Sequence, residues 1–289
     1  MQIDWDLVGK ECDLPIKSTQ QIGEGWDAVV FRVDQGDIIK LAKREDVGPL
    51  LTTEALVLDL IHSKLPVRIP RLIASNDSSN AWPSGYIIQS YISGKPLFEV
   101  DTKVDSNVPT QLGTALRELH DIPVDKAMQT DLPLQDRREW ASEFGASALR
   151  KIADRRGATI ATQITFEATR ILGTSDYYDV EPTLIHNDLH SGHLLLEPGE
   201  PLGIIDWGDA GLGDPDIDFL FLYWAMGWEF IEASLKSYGH KDPTALHKKL
   251  DDLLLLYSMF LIFLAAEYGS AEEETMGCLL YTSDAADEE

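Results

Sequence analysis

The chain has 289 residues, of which 44% are hydrophobic, and this is enough for one large or two modest domains with a packed core. Its formal net charge of −25 argues against nucleic acid or an anionic membrane as a partner, because the surface would repel both, and it favours a cationic ligand. The richest apolar run, LLLLYSMFLIFLAA, is too short for a membrane span, and the N-terminal MQIDWDLVGK does not resemble a secretion signal. We therefore expect a monomeric cytoplasmic protein without disulfides.

Residues 1–92 predict a β-rich region with one helix. Glycine and β-branched residues alternate over 22–33, an apolar strand over 37–43 follows a Gln-Gly turn, and another strand is expected over 84–92. Between them, the apolar residues of TTEALVLDLIHSKL recur at helical spacing and end before Pro66.

The remainder of the chain predicts mainly helix, over 109–120, 134–156, 161–173, 216–238 and 243–267. A small hairpin interrupts the helices, because apolar runs at 194–196 and 202–205 flank a Pro-Gly-Glu-Pro turn. The fold class is therefore α+β, with an N-terminal lobe over 1–92 joined to a helical C-terminal lobe over 93–277.

Residues 278–289 have a different character. The segment CLLYTSDAADE reads as the translation of an adapter used in preparing sequencing libraries. We expect a non-native tail here, and environmental DNA as the source of the gene.

Two features of the β-rich region have both a structural and a functional interpretation. Gly23 and Gly25 open a turn where backbone amides can approach phosphates, although glycine pairs are common in turns. Lys40 lies in an apolar strand, where a charged amine is costly unless it meets an anion. Glu54 can supply that anion and direct Lys40 to a nucleotide phosphate; otherwise Lys40 lies on the solvent side of its strand.

The stretch LIHNDLHSGHLLL holds three histidines and an aspartate. A zinc site would use His186, His190 and His193, whose spacing suits a helix, but the glycine and the following leucines argue against a helix here. The alternative places Asp188 in a loop, where it deprotonates a hydroxyl, with His193 and Asp206 as ligands of a magnesium ion that bridges nucleotide phosphates.

Taken together, these motifs resemble the aminoglycoside phosphotransferase family, antibiotic kinases with a two-lobed protein-kinase-like fold. The resemblance extends over about 22–269 and is closest to the 2''-phosphotransferases. It is carried by HNDLHSGHLLL, by IIDWGDAGLGDPDIDF, by LRELH and by KLPVRIPRL.

The resemblance implies that Asp188 is the catalytic aspartate and that His193 and Asp206 hold Mg²⁺. The usual ligand at position 193 is asparagine, and histidine there resembles the 2''-aminoglycoside and macrolide branches. Many relatives have glycine where this chain has Asn187, and we expect the asparagine to be tolerated.

For the nucleotide, the resemblance implies a Lys40–Glu54 pair over the phosphates. The segment QSYISG resembles the hinge, so that the backbone of Ser90 and Ile92 would meet the purine, with Gln89 at the gatekeeper position. ATP and GTP remain equally open as phosphoryl donors.

For the acceptor, the resemblance implies carboxylates that bind ammonium groups of a small cationic antibiotic. Asp209, Glu229 and Glu232 are the candidates, and the two glutamates lie three residues apart on one helical face. Asp214 and Asp218 are better explained as structural, since an aspartate before a helix-opening proline caps the helix.

Three alternatives to an aminoglycoside kinase remain. A macrolide kinase would need an apolar pocket, which four aromatic residues at helical spacing could line: Tyr223, Trp224, Trp228 and Phe230. A sugar or amino-alcohol kinase of the same superfamily would share the motifs. A nucleotide-binding scaffold without catalysis is disfavoured because the catalytic residues are intact.

Overall fold

The N-terminal part of the chain is an antiparallel sheet with one long helix against it. The computed structural model describes residues 3–34, 36–77, 79–100, 107–123 and 131–268. The sheet has the order β1-β2-β3-β5-β4, and its strands are β1 (Thr19–Glu24), β2 (Ala28–Val33), β3 (Ile38–Ala42), β4 (Leu72–Asn76) and β5 (Tyr86–Gln89). The long helix is α2 (Gly48–Ile61).

The two faces of β3 are buried against different elements. Ile39 and Leu41 pack in a cluster with Val8 of a short helix, α1 (Trp5–Glu11). Lys40 points to the opposite face, where Glu54 of α2 lies. Sequence analysis did not predict α1, which has seven residues and is capped by the side chain of Asp4.

The C-terminal part is mainly helical. It contains α3 (Asn107–His120), α4 (Arg137–Arg156), α5 (Ala158–Leu172), α6 (Leu220–Met226), α7 (Trp228–Tyr238) and α8 (Pro243–Tyr268). The helix predicted over 216–238 is wrong as a single element. It begins as a 3-10 helix, Pro215–Phe219. It is also interrupted at Gly227, which has a φ of +76°, a conformation that glycine adopts easily and other residues adopt only at a cost.

Short strands between α5 and α6 place two loops side by side. β7 (Thr183–Ile185) pairs with β10 (Gly211–Gly213), and β8 (Leu194–Leu196) pairs with β9 (Gly203–Ile204). β6 (Lys95–Pro96) adds to the other edge of β8. The first loop, residues 186–193, and the second loop, residues 205–210, therefore leave from the same end of these ladders.

The α+β class and the predicted hairpin are confirmed. The division of the chain at residues 92 and 93 stays a prediction, and the expected tail at 278–289 lies outside the described residues. Within the described ranges, no helix has the length and apolarity that a membrane crossing requires.

Candidate active site

Lys40, Glu54 and Asp206 form an ion cluster between the sheet, α2 and the second loop, in which Lys40 and Glu54 are buried and Asp206 is partly buried. Lys40 Nζ lies 2.8 Å and 2.9 Å from the two carboxylate oxygens of Glu54 and 2.8 Å from Asp206 Oδ1. Burial alone would lower the pKa of Lys40, but the two carboxylates raise it above its ordinary value. The solvent-facing interpretation of Lys40 is therefore wrong, since its side chain is 9% exposed.

His193 and Asp206 present acceptor atoms to one position. His193 Nδ1 lies 2.8 Å from the carbonyl oxygen of Asp188, to which it donates. In a neutral ring Nε2 is then unprotonated, and it lies 3.4 Å from Asp206 Oδ2. An imidazole nitrogen beside a carboxylate fits a divalent cation that also binds phosphate oxygens, so these residues fit the predicted Mg²⁺.

The alternative zinc site of three histidines is not formed. His186 is fully buried, and its Nε2 lies 3.0 Å from the carbonyl oxygen of Ile205. His190 and His193 do lie near the Asp188 carboxylate, with ligand atoms within 4.8 Å of one another. However, His190 Nδ1 accepts a hydrogen bond from the backbone N–H of Gly192 at 3.0 Å, so that nitrogen is already used.

The side chain of Asp218 holds the backbone at the start of the first loop. Its carboxylate accepts hydrogen bonds from the backbone N–H groups of His186 at 2.9 Å and Asn187 at 2.8 Å, and it lies 3.0 Å from His120 Nε2. Asp218 is fully buried. Sequence analysis assigned it a structural role, and its contacts show that it holds the backbone next to Asp188.

Asn187 and Asp206 share an unusual backbone conformation. Their φ angles are +69° and +68°, in the left-handed region that asparagine and aspartate enter more readily than other non-glycine residues. This explains why asparagine is tolerated at position 187, as expected from the sequence. Its side chain also accepts a hydrogen bond from Arg137 and donates one to the carbonyl oxygen of Asp209 at 3.1 Å.

Two cavities meet at Asp188. The inner cavity, of about 290 Å³, is lined by Lys40, Glu54, His193 and Asp206 among others. The outer cavity, of about 620 Å³, extends from the first loop to α6 and α8. Among the described residues, five line both cavities: Trp26, Asp27, Asp188, His190 and Asp209.

Carboxylates dominate the electrostatics at this junction. Burial and the carboxylates of Asp209 and Asp206 raise the pKa of Asp188 well above its ordinary value. Burial and the carboxylates of Asp206 and Asp27 likewise raise the pKa of Asp209 to about 6. Asp206 behaves in the opposite way, because Lys40 outweighs burial and lowers its pKa. Positive charge bound near Asp188 and Asp209 would stabilise their ionised forms.

The predicted nucleotide-binding residues divide into two groups: Gly25, Lys40 and Glu54 line the inner cavity, whereas Gly23, Ser90 and Ile92 are not among its lining residues. Neither Gly23 nor Gly25 has a positive φ, so backbone strain does not require glycine there. Gly23 follows an irregularity of the β1–β2 register. Ser90 and Ile92 follow β5 directly, and Ser90 exchanges hydrogen bonds with the backbone of Arg71. The role of the Ser90 and Ile92 backbone stays a prediction.

The predicted acceptor-binding residues are separated in the structure. Asp209 lines both cavities, whereas Glu229 and Glu232 are exposed on α7 and are not among the residues that line either cavity. The structure therefore does not bring the two glutamates to Asp209. Their role in acceptor binding stays a prediction.

The four aromatic residues considered for a macrolide pocket also differ in position. Trp224 lines the outer cavity, and Phe230 is buried in the core. Trp228 stacks on His247 with ring centroids 3.9 Å apart. The aromatic wall of the cavity instead combines Trp224 with Phe221, Tyr257 and Phe260.

Sequence analysis missed Trp26, Asp27 and Arg137 as cavity residues. Arg137 is the first residue of α4, directly after its N-cap Asp136, and no local pattern separates it from the neighbouring Arg138. A signal for Trp26 did exist, because a large apolar residue directly after a glycine turn is unusual. The sequence could not show what this tryptophan contacts, because the residues with which it lines the outer cavity are distant in sequence.

Comparisons with known protein sequences cover most of the chain. The model of the phosphotransferase enzyme family matches residues 18–248. The uncharacterised protein YcbJ of Bacillus subtilis strain 168 is 23% identical over 233 residues, which are 75% of this chain and 72% of that protein.

Solved structures agree on the fold. The GDP and kanamycin complex of APH(2")-IIIa matches with a TM-score of 0.82 and 21% identity over 98% of both chains. Macrolide 2'-phosphotransferase type I matches with a TM-score of 0.70 and 20% identity over 96% of this chain and 97% of that one. These likenesses confirm the predicted two-lobed protein-kinase-like fold. Because the family match includes the Lys40 strand and both loops, the chain belongs to the phosphotransferase enzyme family.

Proposed function

We propose that this protein transfers the γ-phosphoryl group of a purine nucleoside triphosphate to a hydroxyl of an aminoglycoside and thereby confers resistance. The observation that carries the proposal is the position of Asp188 at the junction of the two cavities. On one side lie Lys40, Glu54 and Asp206, and on the other lies a larger space lined by further carboxylates. This arrangement suits a nucleotide and an acceptor that meet at one carboxylate.

In this mechanism Asp188 orients the acceptor hydroxyl and receives its proton. Lys40 contacts the nucleotide phosphates, and Glu54 fixes the position of the lysine through both carboxylate oxygens. His193 and Asp206 would hold Mg²⁺, which neutralises charge on the transferring phosphates when it is bound. Asp218 keeps the backbone beside Asp188 in place.

The acidity of the acceptor side supports a cationic substrate. Asp27, Asp188 and Asp209 line the outer cavity, and an ammonium group near Asp209 would favour its ionised form. Proteins of similar fold bind kanamycin and gentamicin, both aminoglycosides. The net charge of −25 would attract such polycations at long range.

A macrolide acceptor is the second candidate, and one observation favours it. Apolar or aromatic side chains of α6 and α8 line one side of the outer cavity, among them Phe221, Trp224, Tyr257, Phe260, Leu261 and Leu264. A lactone ring would bury apolar surface against this wall while its amino sugar faces the carboxylates. A macrolide 2'-phosphotransferase has a similar fold.

The test is a resistance panel in a susceptible host that expresses wild type, Asp188→Ala or Asp179→Ala. Asp179 is exposed and lies outside both cavities, so it controls for the loss of an aspartate. We expect wild type and Asp179→Ala to raise the inhibitory concentration of aminoglycosides and Asp188→Ala to raise none. Resistance to macrolides alone would select the second candidate, and resistance to neither class would point to a sugar or amino-alcohol kinase.

A matched assay on purified protein tests the role of Asp188 directly. Asp188→Ala should lose phosphoryl transfer while still binding ATP or GTP with Mg²⁺ in titration calorimetry. Near-normal turnover by this variant would overturn the assignment of the catalytic residue. Comparison of ATP with GTP in the same assay determines the donor.

A further inference from the structure

The tip of the β1–β2 loop, residues 25–27, carries a large exposed aromatic side chain. Trp26 is 51% exposed at a position where tight turns ordinarily use small or polar residues. A hydrogen bond closes the turn, because the backbone N–H of Gly25 donates to the carbonyl oxygen of Ala28 at 2.9 Å. Tryptophan is enriched at interfaces because its ring is apolar while its N–H is polar, so an indole held on this turn is suited to contact a ligand.

Two consecutive basic residues after β3 hold all three carbonyl groups of the tip. Lys43 Nζ donates to the carbonyl oxygen of Gly25 at 3.0 Å, and the Lys43 backbone N–H donates to that of Asp27 at 2.8 Å. Arg44 Nη1 donates to the carbonyl oxygen of Trp26 at 3.0 Å, and Arg44 Nη2 donates to Asp27 Oδ1 at 3.0 Å. The backbone that carries the indole is thus held at each of its three carbonyl groups.

Trp26 faces both ligand spaces. It lines the inner cavity beside Gly25 and Lys40, and it lines the outer cavity together with Trp224 and Phe260 of the apolar wall. A ligand in the outer cavity therefore has an aromatic residue from the N-terminal sheet on one side and aromatic residues from α6 and α8 on the other. Asp209 lies at the same junction and supplies negative charge.

We propose that Trp26 is a specificity-determining residue of the acceptor site, which packs on the ring face of a cationic acceptor and couples acceptor binding to nucleotide binding. This inference rests on the proposed function. An indole attracts both the C–H face of a sugar or lactone ring and a nearby ammonium group. The acceptors it selects therefore carry an ammonium group on or beside a rigid ring, and flexible amino alcohols gain little from it.

The coupling follows from the position of the tip over both cavities. A nucleotide in the inner cavity contacts the same β1–β2 tip that presents Trp26 to the outer cavity, so it stabilises the tip position that the acceptor also uses. Because linkage is reciprocal, a bound acceptor raises the affinity of the protein for the nucleotide by the same factor. Trp224, on the opposite wall, contacts the acceptor without belonging to this loop, so it contributes affinity without coupling.

The experiment measures acceptor dissociation constants by titration calorimetry, with kanamycin and with erythromycin, in the presence and absence of a non-hydrolysable ATP analogue and Mg²⁺. The variants are Trp26→Ala, Trp26→Phe and Trp224→Ala. Phe166→Ala is the matched control, because Phe166 is 70% exposed on α5 and lies outside both cavities.

We expect wild type to bind its acceptor at least about fivefold more tightly with the analogue than without it. Trp26→Ala should weaken acceptor binding about tenfold and remove this enhancement, while its affinity for the analogue alone stays within about twofold of wild type. Trp26→Phe should restore part of both effects. Trp224→Ala should weaken the acceptor but keep the enhancement, and Phe166→Ala should match wild type.

Two results would overturn the inference in different ways. If wild type binds an acceptor and Trp26→Ala binds it equally well, or loses nucleotide affinity to the same extent, Trp26 is not an acceptor residue and the proposed function stands. If wild type binds neither compound, the proposed function fails and this inference fails with it.

Discussion

Replacement of Asp218 by asparagine tests whether one buried carboxylate supports both the stability of the protein and the placement of Asp188. The carboxylate accepts three hydrogen bonds, from the backbone N–H groups of His186 and Asn187 and from His120 Nε2. An asparagine has the same shape but only one acceptor oxygen. In either orientation its amide group meets at least one of these N–H donors.

The magnitude follows from those three contacts. In the better orientation one buried donor loses its partner, at a cost of about 2 kcal/mol, and two charge-assisted hydrogen bonds become neutral, at about 1 kcal/mol each. Asp218→Asn should therefore lower the free energy of unfolding by about 4 kcal/mol and the melting temperature by roughly 10 °C. The shift of the first loop should lower kcat about a hundredfold with little change in nucleotide affinity.

The pH dependence has a definite sign. Burial alone would raise the pKa of Asp218, but the hydrogen bond and charge of His120 and the contacts of His186 outweigh it and lower the pKa. A folded-state pKa below the unfolded value of about 3.9 stabilises the protein above that pH, and the contribution is lost as the pH falls through the folded value. The gap between wild type and Asp218→Asn should thus be constant near neutrality and narrow below about pH 4.

Urea unfolding followed by circular dichroism measures the free energy, and steady-state kinetics on folded protein measure kcat. The matched control is Asp179→Asn, an exposed aspartate that should change neither. A loss of stability below about 1 kcal/mol would mean that water or a rearranged side chain replaces the carboxylate. A normal kcat in a destabilised variant would show that Asp218 has no part in positioning Asp188.

Three further predictions concern ligands. His193→Asn keeps an N–H donor and an oxygen ligand, so the apparent Mg²⁺ affinity should stay within about threefold, whereas His193→Ala should weaken it at least about tenfold in activity titrations with Mg²⁺. Because the pKa of Asp209 is raised to about 6, acceptor affinity measured by calorimetry should increase from about pH 5 to about pH 7, and Asp209→Asn should remove this increase. The double variant Glu229→Gln, Glu232→Gln should raise the acceptor KM more than the nucleotide KM; equal effects on both would count against acceptor contacts.

Local sequence signals predicted the elements that carry the chemistry. The β-branched strand around Lys40, the helix of Glu54 and the hairpin between Asp188 and Asp206 all have strong short-range patterns, and each is found where it was expected. Sequence analysis predicted the Lys40–Glu54 pair but not the contact between Lys40 and Asp206, because these two residues are far apart in sequence although they lie 2.8 Å apart in space.

Long-range contacts explain what the sequence did not predict. Asp214, Asp216 and Asp218 are alike in a linear pattern, yet Asp214 caps the 3-10 helix, whereas Asp218 meets His120 on a distant helix. In the same way, the segment LRELH contributed to the resemblance, but the sequence did not predict that His120 contacts Asp218. Helix α1 is short, and its stability depends on packing against the sheet rather than on its own propensity.

The three histidines of the first loop differ in the nitrogen that each leaves available. His186, whose pKa is lowered by burial to about 4, uses Nε2–H for the carbonyl oxygen of Ile205. Burial also lowers the pKa of His190 to about 4, and its Nδ1 accepts a backbone N–H, so the neutral ring carries its proton on Nε2. A neutral His193 carries its proton on Nδ1, which donates to the carbonyl oxygen of Asp188. Of these three, a neutral His193 alone therefore offers a lone pair beside Asp206, and a site with one nitrogen ligand and carboxylate oxygens would suit magnesium better than zinc.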